Sequence, residues 1–170
     1  MLYQGNVKIT TEIDNECKRN ELLKSYIDDF KDYWFNGYNS RIGKDIATAR
    51  PNPPIGHRHT HLKPSIFPLI KSTEHNKSSK VYWNKWLNNR KIPPPTSDRC
   101  LFYMVSKSRT AYIFHYQSDK SHKFMEGIKF KEIVYKMENT AFQYNIDLMD
   151  FDEQQHLFSE KWLIKPPTPQ

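Results

Sequence analysis

The spacing of apolar residues predicts two amphipathic helices, one in each half of the chain. In both segments the apolar side chains recur three or four positions apart, which is the period of one helix face. The first set lies between polar Asp14 to Glu16 and the pair Asn36-Gly37, and it comprises Leu22, Leu23, Tyr26, Ile27, Phe30, Tyr33 and Trp34. The second set comprises Phe130, Ile133, Val134, Met137, Ala141 and Phe142. Both stripes indicate helix faces that pack on a core.

Four other segments have the composition of β-strands. Residues 5–13 are rich in β-branched side chains and predict a first strand. Residues 99–105 and 110–117 are joined by a short polar stretch and predict an antiparallel hairpin. Residues 57–62, with the sequence HRHTHL, lie between two prolines, which disfavour a helix and indicate an extended segment.

The remaining segments predict little regular structure. Residues 36–56 contain glycines and prolines without periodicity and indicate an irregular loop. Within residues 63–95, VYWNKWLNNR favours a helical turn or two, and the run of three prolines favours an extended connector. Residues 150–162 favour a short acidic helix, and residues 166–170 a frayed end. Together these elements predict one α+β domain over residues 1–170, with a central antiparallel sheet flanked by helices.

The charge is concentrated in the middle of the chain. The 170 residues carry a formal net charge of +7, and aromatic residues make up 14% of them, which favours a packed core over a disordered polyelectrolyte. Residues 1–40 carry a net charge of −2, residues 41–131 of +13 and residues 132–170 of −4. A basic middle with acidic ends predicts a surface that binds a polyanion, with nucleic acid as the first candidate. The alternative is a solvated basic surface without a partner.

Several classes of protein are disfavoured by the sequence. No apolar run approaches the roughly 18 residues of a membrane span, so we expect no membrane association, and the first residues lack the features of a signal peptide. The two cysteines, Cys17 and Cys100, are too few for a disulfide scaffold or a cysteine zinc site. We therefore expect a cytoplasmic protein with reduced thiols and no cofactor.

Three histidines alternate along the predicted extended segment. His57, His59 and His61 would share one face of a strand, because alternate side chains of an extended chain point the same way. Imidazole binds zinc, copper and nickel, but the segment holds no carboxylate or thiolate to complete a metal site. Imidazole is also the side chain best suited to general acid–base catalysis near neutral pH. The third interpretation is a hydrogen-bonded strand without chemistry.

The chain contains every residue type that metal-independent RNA cleavage requires. That reaction needs a base for the 2′-OH, an acid for the leaving 5′-oxygen and cations for the phosphate. His122, in the polar stretch after the hairpin, is a better catalytic candidate than His115, which lies inside the second predicted strand of the hairpin. Candidate phosphate contacts are Lys44, Arg58, Lys63, Arg99, Lys120 and Lys123. Tyr103 and Tyr112 are candidates for stacking on unpaired bases.

The order of five short motifs resembles a known family. The motifs are Gly43-Lys44-Asp45, His59-Thr60-His61-Leu62, Thr96-Ser97-Asp98 before the strand LFYMV, the strand AYIFHY, and His122 before a helix. This order resembles the YafO-type toxins of bacterial type II toxin–antitoxin systems, and the resemblance runs from about Trp34 to Phe142. Pro95 departs from the family, which often has arginine there, so a phosphate contact would move to Arg99 or Arg58.

The resemblance implies a RelE/ParE-like fold and an endoribonuclease that cleaves mRNA on the translating ribosome. It also implies a cognate antitoxin as partner, and it carries over Asp45, His59, His61, Asp98 and His122 as motif positions, with Thr96 beside them. On this hypothesis His59 or His61 is the general base, His122 is the general acid, and Asp98 orients an imidazole or fixes the turn. The rival hypotheses are a metal-dependent hydrolase using His57, His59 and His61, and an RNA-binding module without catalysis.

Overall fold

The chain forms a five-stranded sheet with helices on both faces, which confirms the α+β prediction. The computed structural model describes residues 2–48, 56–67, 73 and 75–165. The elements in chain order are β1 (Asn6–Ile9), α1 (Thr11–Cys17), α2 (Glu21–Asn36), β2 (Ile42–Thr48), β3 (His57–Leu62), α3 (Lys80–Asn88), β4 (Cys100–Val105), β5 (Thr110–Gln117), α4 (Ser121–Glu126) and α5 (Ile128–Gln143). The strand order is β1-β5-β4-β3-β2. The predicted sheet was purely antiparallel, which is wrong for one pair, because β1 runs parallel to β5.

The first predicted strand is shorter than expected because a helix cap interrupts it. Thr10 has extended backbone and its hydroxyl accepts a hydrogen bond from the Ile13 amide, so the chain turns into α1 at Thr11. Residues 11–13 are therefore helical rather than extended, and so are the polar residues at Asp14 to Glu16.

The first amphipathic helix is confirmed as α2. Its amino end is capped by Asn20, whose side chain accepts a hydrogen bond from the Leu23 amide. Its carboxyl end is closed by Gly37, which has a φ of 73° and adopts the left-handed conformation that glycine tolerates best. The buried residues of the helix are Leu23, Tyr26, Ile27, Phe30 and Trp34.

The predicted irregular loop over residues 36–56 is wrong in part, because Ile42–Thr48 form β2. This strand pairs antiparallel with β3, with a register shift between Ile42 and Asp45. A Cβ atom on Gly43 would lie 2.4 Å from the Pro95 carbonyl oxygen and 2.9 Å from the Trp83 ring, so the close approach of the chain requires glycine there. The strand is therefore specified by its neighbours rather than by its own pattern of side chains. Residues 49–55 of the predicted loop lie outside the described residues.

The predicted hairpin of β4 and β5 is confirmed, with one irregularity that concerns the site. Phe102 pairs with His115 and Tyr103 pairs with Ile113, so Phe114 is an extra residue on β5. This β-bulge places His115 on the same face of the sheet as Phe102, where its ring lies 5.8 Å from the Phe102 ring.

The predicted helical turn in VYWNKWLNNR is confirmed as α3, which Ser79 caps by accepting a hydrogen bond from the Tyr82 amide. The second predicted helix is α5, but Phe142 lies on its exposed side rather than in the core. The predicted acidic helix near the end of the chain is instead two short 3-10 turns, Glu153–His156 and Glu160–Trp162. The predicted frayed end, residues 166–170, lies outside the described residues.

The sheet has a separate core on each face. On one face α1, α2 and the segment around Leu157 pack against residues such as Leu101 and Ile113. On the other face α5 packs Phe130, Val134 and Met137 against Cys100, Phe102, Met104 and Phe114. Over the described residues, no helix is both long enough and apolar enough to cross a membrane.

Arg109 ties three parts of the chain together although no carboxylate pairs with it among the described contacts. Its guanidinium is fully buried and donates hydrogen bonds to the carbonyls of Gln4, Trp34 and Leu157. It also lies 4.3 Å from the ring centroid of Trp34. Burial lowers the pKa of Arg109 to about 10, so the side chain is still charged at neutral pH.

Candidate active site

The histidine row lies on β3 and faces the core under α5. The ring of His57 lies 5.1 Å from that of Phe130, and the ring of His59 lies 5.8 Å from that of Phe102. His59 and His61 have ring centroids 5.3 Å apart at a steep angle. All six residues of β3 are buried. The predicted alternation is confirmed, and the histidines lie beneath the surface rather than on it.

The tautomer of His61 is set by a backbone carbonyl. Its Nδ1 lies 2.6 Å from the Ser97 carbonyl oxygen, and only a protonated Nδ1 can donate to that oxygen. The Ser97 amide nitrogen also lies near Nδ1, but at the longer distance of 3.1 Å. A neutral ring in this tautomer carries its lone pair on Nε2, which has no hydrogen-bond partner among the described residues. In this tautomer His61 therefore holds an unprotonated Nε2 that is enclosed in the protein interior.

His122 is the exposed member of the site. It is the second residue of α4, and its Nδ1 lies 2.8 Å from Oδ1 of Asp98, with both side chains 58% exposed. The carboxylate can only accept, so Nδ1 donates to it and Nε2 is left for other partners. The backbone carbonyl of Asp98 also accepts a hydrogen bond from the Ser121 amide at 3.1 Å. Asp98 therefore holds the first turn of α4 through both its backbone and its side chain.

The four predicted catalytic residues come together although they are distant in the sequence. The rings of His61 and His122 stack with centroids 5.4 Å apart and an angle of 29° between their planes. His59 packs on the other side of His61, and Asp98 contacts His122, so the order in space is His59, His61, His122 and Asp98. One exposed imidazole thus stacks on a buried pair.

Burial keeps the two inner histidines neutral. Desolvation, with a smaller contribution from the neighbouring His61, lowers the pKa of His59 to about 3. The pKa of His61 is lowered to about 4, mainly by desolvation and to a smaller extent by His122 and Lys44. The hydrogen bond to the Ser97 carbonyl acts in the opposite direction and raises the pKa. At neutral pH both rings are therefore uncharged. Lys44 lies at the register shift of β2, between the residues that pair with Leu62 and Thr60 of β3, so this predicted phosphate contact is close in the sheet to His61.

These two histidines predict that the protein loses stability as the pH falls from 7 to 5. The unfolded chain binds protons at imidazoles whose pKa is about 6.5, while the folded chain does not bind them until the pH nears 4. Because the unfolded state binds more protons, the free energy of unfolding falls on acidification by about 2 kcal/mol for each histidine. Urea denaturation at the two pH values measures this change.

A variant with one of these groups removed is the control. His59→Gln cannot titrate, so its loss of stability between pH 7 and pH 5 is expected to be about 2 kcal/mol smaller than that of the wild-type protein. An equal loss in both proteins would contradict the assignment of a neutral, buried His59.

The predicted phosphate contact at Arg58 is corrected by the structure. Arg58 lies on the opposite face of β3 from the histidines, where its side chain is 9% exposed and its Nη2 lies 3.1 Å from Oδ2 of Asp45. It also donates to the Tyr103 hydroxyl and to the Gln154 carbonyl. The Arg58 side chain therefore makes its polar contacts inside the protein and is not available to bind phosphate. Tyr103 is fully buried in the same network and cannot stack on a base.

The other basic candidates divide between two regions. Arg99 donates to the Ser118 carbonyl and the Tyr26 hydroxyl, beside a small cleft that Asp98 also lines. Lys63 follows β3, and its amide donates to the Arg41 carbonyl. Lys120 and Lys123 flank His122 in sequence and line an open groove of about 350 Å³, here called the lysine groove; its other lining residues are Gln117, Phe124, Gly127, Ile128 and Lys129. Tyr112 is partly buried and packs against the α5 side of the sheet.

Two of the motif positions hold the strands around the site. Asp45 accepts hydrogen bonds from the hydroxyls of Tyr33 and Tyr103, at 2.9 Å and 2.7 Å, as well as pairing with Arg58. The Thr96 carbonyl accepts from the Trp83 indole, and its hydroxyl lies 3.1 Å from that of Ser78. Both residues are part of the frame of the site and do not touch the histidines.

Sequence patterns did not point to the residues that link the buried histidines of β3 to the start of α4. Cys100 Sγ lies 3.5 Å from Nδ1 of His61 and 3.2 Å from the Ser121 hydroxyl, so it joins β4 to the start of α4. Burial raises the pKa of the Cys100 thiol to about 12, which keeps it protonated and unreactive. Cysteine and serine are common buried residues, and only the fold places these two beside the histidines.

The rival hypothesis of a metal site has no ligand group in the described part of the chain. Across those residues, no three His, Cys, Asp or Glu side chains lie in an arrangement that could hold a metal ion.

Comparisons of the chain with protein-family models, curated proteins and solved structures found no match.

Proposed function

We propose that this protein is a metal-independent endoribonuclease that uses the 2′-OH of its RNA substrate as the nucleophile. The supporting observation is the convergence of His59, His61, Asp98 and His122, which three separate segments contribute. The site combines neutral imidazoles, which accept protons, with an exposed imidazole held by a carboxylate. This is the set of groups that general acid–base catalysis on a phosphodiester requires.

In the proposed reaction one proton is taken up and one is delivered. A neutral imidazole, His61 or His59, accepts the proton of the 2′-OH, and the 2′-oxygen forms a bond to phosphorus. Because both rings are buried, this step requires the site to open so that the RNA reaches one of them. The bond from phosphorus to the 5′-oxygen breaks, and protonated His122 donates its Nε2 proton to that oxygen. The products are a 2′,3′-cyclic phosphate and a 5′-hydroxyl. Asp98 fixes the ring of His122 so that Nε2 points away from the carboxylate.

Lysines supply the positive charge in this proposal. Lys44 lies at the register shift of β2, opposite the Thr60–Leu62 stretch of β3, and Lys120 and Lys123 line the lysine groove on either side of His122 in the sequence. Ammonium groups in these positions stabilise the charge on the phosphate and bind the flanking backbone of the strand. With Arg58 committed to the interior, phosphate binding falls to these lysines, Lys63 and Arg99.

The biological role follows from the resemblance of the motifs. We propose that the protein is the toxin of a type II toxin–antitoxin pair, that it cleaves mRNA on the ribosome in the cytoplasm, and that a cognate antitoxin neutralises it. The basic middle of the chain, with its net charge of +13, suits a partner with an acidic segment that folds on binding.

The test is a cell-free translation reaction with a defined mRNA, followed by primer extension. We expect discrete new 5′ ends, with a 5′-hydroxyl on one fragment and a 2′,3′-cyclic phosphate on the other. The protein is purified without a histidine tag and treated with chelator beforehand, and its activity is expected to be unchanged.

Each rival hypothesis predicts a different outcome of this experiment. Stoichiometric zinc whose removal abolishes cleavage would replace the proposal with metal-dependent hydrolysis. Salt-dependent RNA binding without any new 5′ ends would replace it with a non-catalytic binding module. Cleavage of the mRNA without growth arrest on induction in cells would retain the nuclease and reject the toxin.

A further inference from the structure

The buried and the exposed histidine of the site are in contact with each other, which leaves no space for a substrate between them. The rings of His61 and His122 stack with centroids 5.4 Å apart, and His61 is fully buried. With His61 as the base and His122 as the acid, the scissile phosphate lies between them, and each proton transfer needs a heavy-atom distance of about 2.6–3.2 Å. Two such contacts alone span the distance between the ring centroids. The stacked arrangement is therefore a closed state of the site.

The ring of His61 is held by the sheet on one side and by α4 on the other. Its contacts with His59, Ser97 and Cys100 come from β3, β4 and the turn before β4. The stacked ring of His122 belongs to α4. Both β3 and β4 lie inside the sheet with a strand on either side, so neither can move without breaking its pairing. Among these neighbours of His61, α4 is therefore the element that can move away.

The amino end of α4, which carries His122, is held to the rest of the protein by a small number of weak contacts. The Ser121 amide donates to the Asp98 carbonyl at 3.1 Å, and the Ser121 hydroxyl lies 3.2 Å from Sγ of Cys100. The contact of His122 with the Asp98 carboxylate is exposed on both sides and therefore contributes little to stability. Residues 118–120 before the helix are exposed, and Lys120 has a φ of 52°, a left-handed conformation that costs free energy for a residue with a Cβ atom.

We propose that α4 lifts at its amino end, pivoting at Gly127, and so admits the scissile phosphate between His61 and His122. Gly127 is the single residue between α4 and α5, and its backbone there is extended. Phe124 lies near this pivot and packs against Phe130 of α5, with ring centroids 5.5 Å apart, so α4 stays attached while its first turn moves. The use of this movement in catalysis rests on the proposed function, whereas the movement itself needs no RNA.

Labelling of Cys100 by iodoacetamide measures the movement in the absence of RNA, because Cys100 is fully buried and Ser121 of α4 lies against it. Cys17→Ser leaves Cys100 as the single thiol of the chain. We expect its labelling rate to change little at low urea concentration, since a local opening exposes little surface. The control is Ala111→Cys in a chain without the two native cysteines. Ala111 is buried on the opposite face of the sheet, so its thiol is expected to react through global unfolding, with a steep dependence on urea. An equally steep dependence for Cys100 would overturn the proposal.

A disulfide between α4 and β4 tests whether RNA cleavage needs the movement. Ser121→Cys in the Cys17→Ser chain places two thiols in contact, and oxidation with diamide joins residue 121 to Cys100. We expect the cleavage rate to fall by about a hundredfold or more in the oxidised protein and to return on reduction. Cys17→Ser alone, treated in the same way, is expected to keep its rate. Equal rates for the oxidised and reduced forms of the disulfide variant would overturn the proposal.

The two experiments separate this proposal from the proposed function. If none of these proteins cleaves RNA while Cys100 reacts through local opening, the nuclease is rejected and the movement of α4 is supported. If the protein cleaves RNA while Cys100 reacts only through global unfolding, the nuclease is retained and the movement of α4 is rejected.

Discussion

Replacing His122 by alanine is expected to lower the rate of RNA cleavage by about a hundredfold to ten-thousandfold, the range typical for loss of a general acid. His122 is the exposed imidazole of the site, and Asp98 holds its Nδ1 at 2.8 Å, so that its Nε2 faces the substrate in the proposed reaction. The buried neighbour His61 cannot take over the same role, because its ring is neutral at pH 7. The rate is measured in the cell-free reaction by quantitative primer extension.

Two further variants separate catalysis from folding. His156→Ala removes an exposed histidine from the short turn beside Leu157, on the other face of the sheet, and is expected to leave the rate unchanged. Asp98→Asn keeps the shape of the side chain and loses its charge, so an intermediate loss of rate is expected. Because His122 and its partner Asp98 are both exposed, the replacement of His122 is expected to cost no more than about 1 kcal/mol of stability. A folded His122→Ala protein that cleaves at the wild-type rate would reject the assignment.

Local sequence patterns were sufficient to predict the strand that carries the histidines and the two long helices that cover the sheet, α2 and α5. The alternation of His57, His59 and His61 has a single geometric consequence in an extended chain, and it is confirmed. The repeat of apolar residues every three or four positions similarly required α2 to bury one face. These features depend on residues close together in the chain, which is why the sequence alone was informative.

Features that depend on distant residues could not be predicted in the same way. The segment that forms β2 has no alternating pattern, and its strand exists because β3 supplies the hydrogen bonds and Gly43 allows close contact with Trp83. The prediction that Arg58 binds phosphate failed for a similar reason. The position of Arg58 on β3 places its side chain on the face opposite the histidines. Its ion-pair partner on that face is Asp45, which only the fold brings into contact with it.

Removing that partner is expected to cause the largest loss of stability among the variants considered. Asp45→Ala leaves the Arg58 charge buried, and among the described residues the Tyr103 hydroxyl and the Gln154 carbonyl are its remaining hydrogen-bond acceptors. Burial by itself lowers the pKa of Arg58, but the Asp45 carboxylate, together with Tyr103 and Tyr33, outweighs that effect and raises the pKa, so the arginine stays charged in the wild-type protein. Breaking a buried ion pair in this way costs about 3–5 kcal/mol, measured as the free energy of unfolding in urea.

The cost arises from the unpaired charge, and a double variant distinguishes this from a loss of packing. Asp45→Ala combined with Arg58→Met removes both charges while keeping an apolar side chain of similar length, so it is expected to be more stable than Asp45→Ala alone. Asp28→Ala breaks an exposed pair with Lys31, at 3.0 Å, and is expected to cost less than about 1 kcal/mol. If Asp45→Ala lowered the free energy of unfolding by no more than Asp28→Ala, the buried pair of Asp45 and Arg58 would not be what holds β2 and β3 to Tyr33 and Tyr103. If the double variant were the least stable of the three, the loss would come from packing rather than from charge.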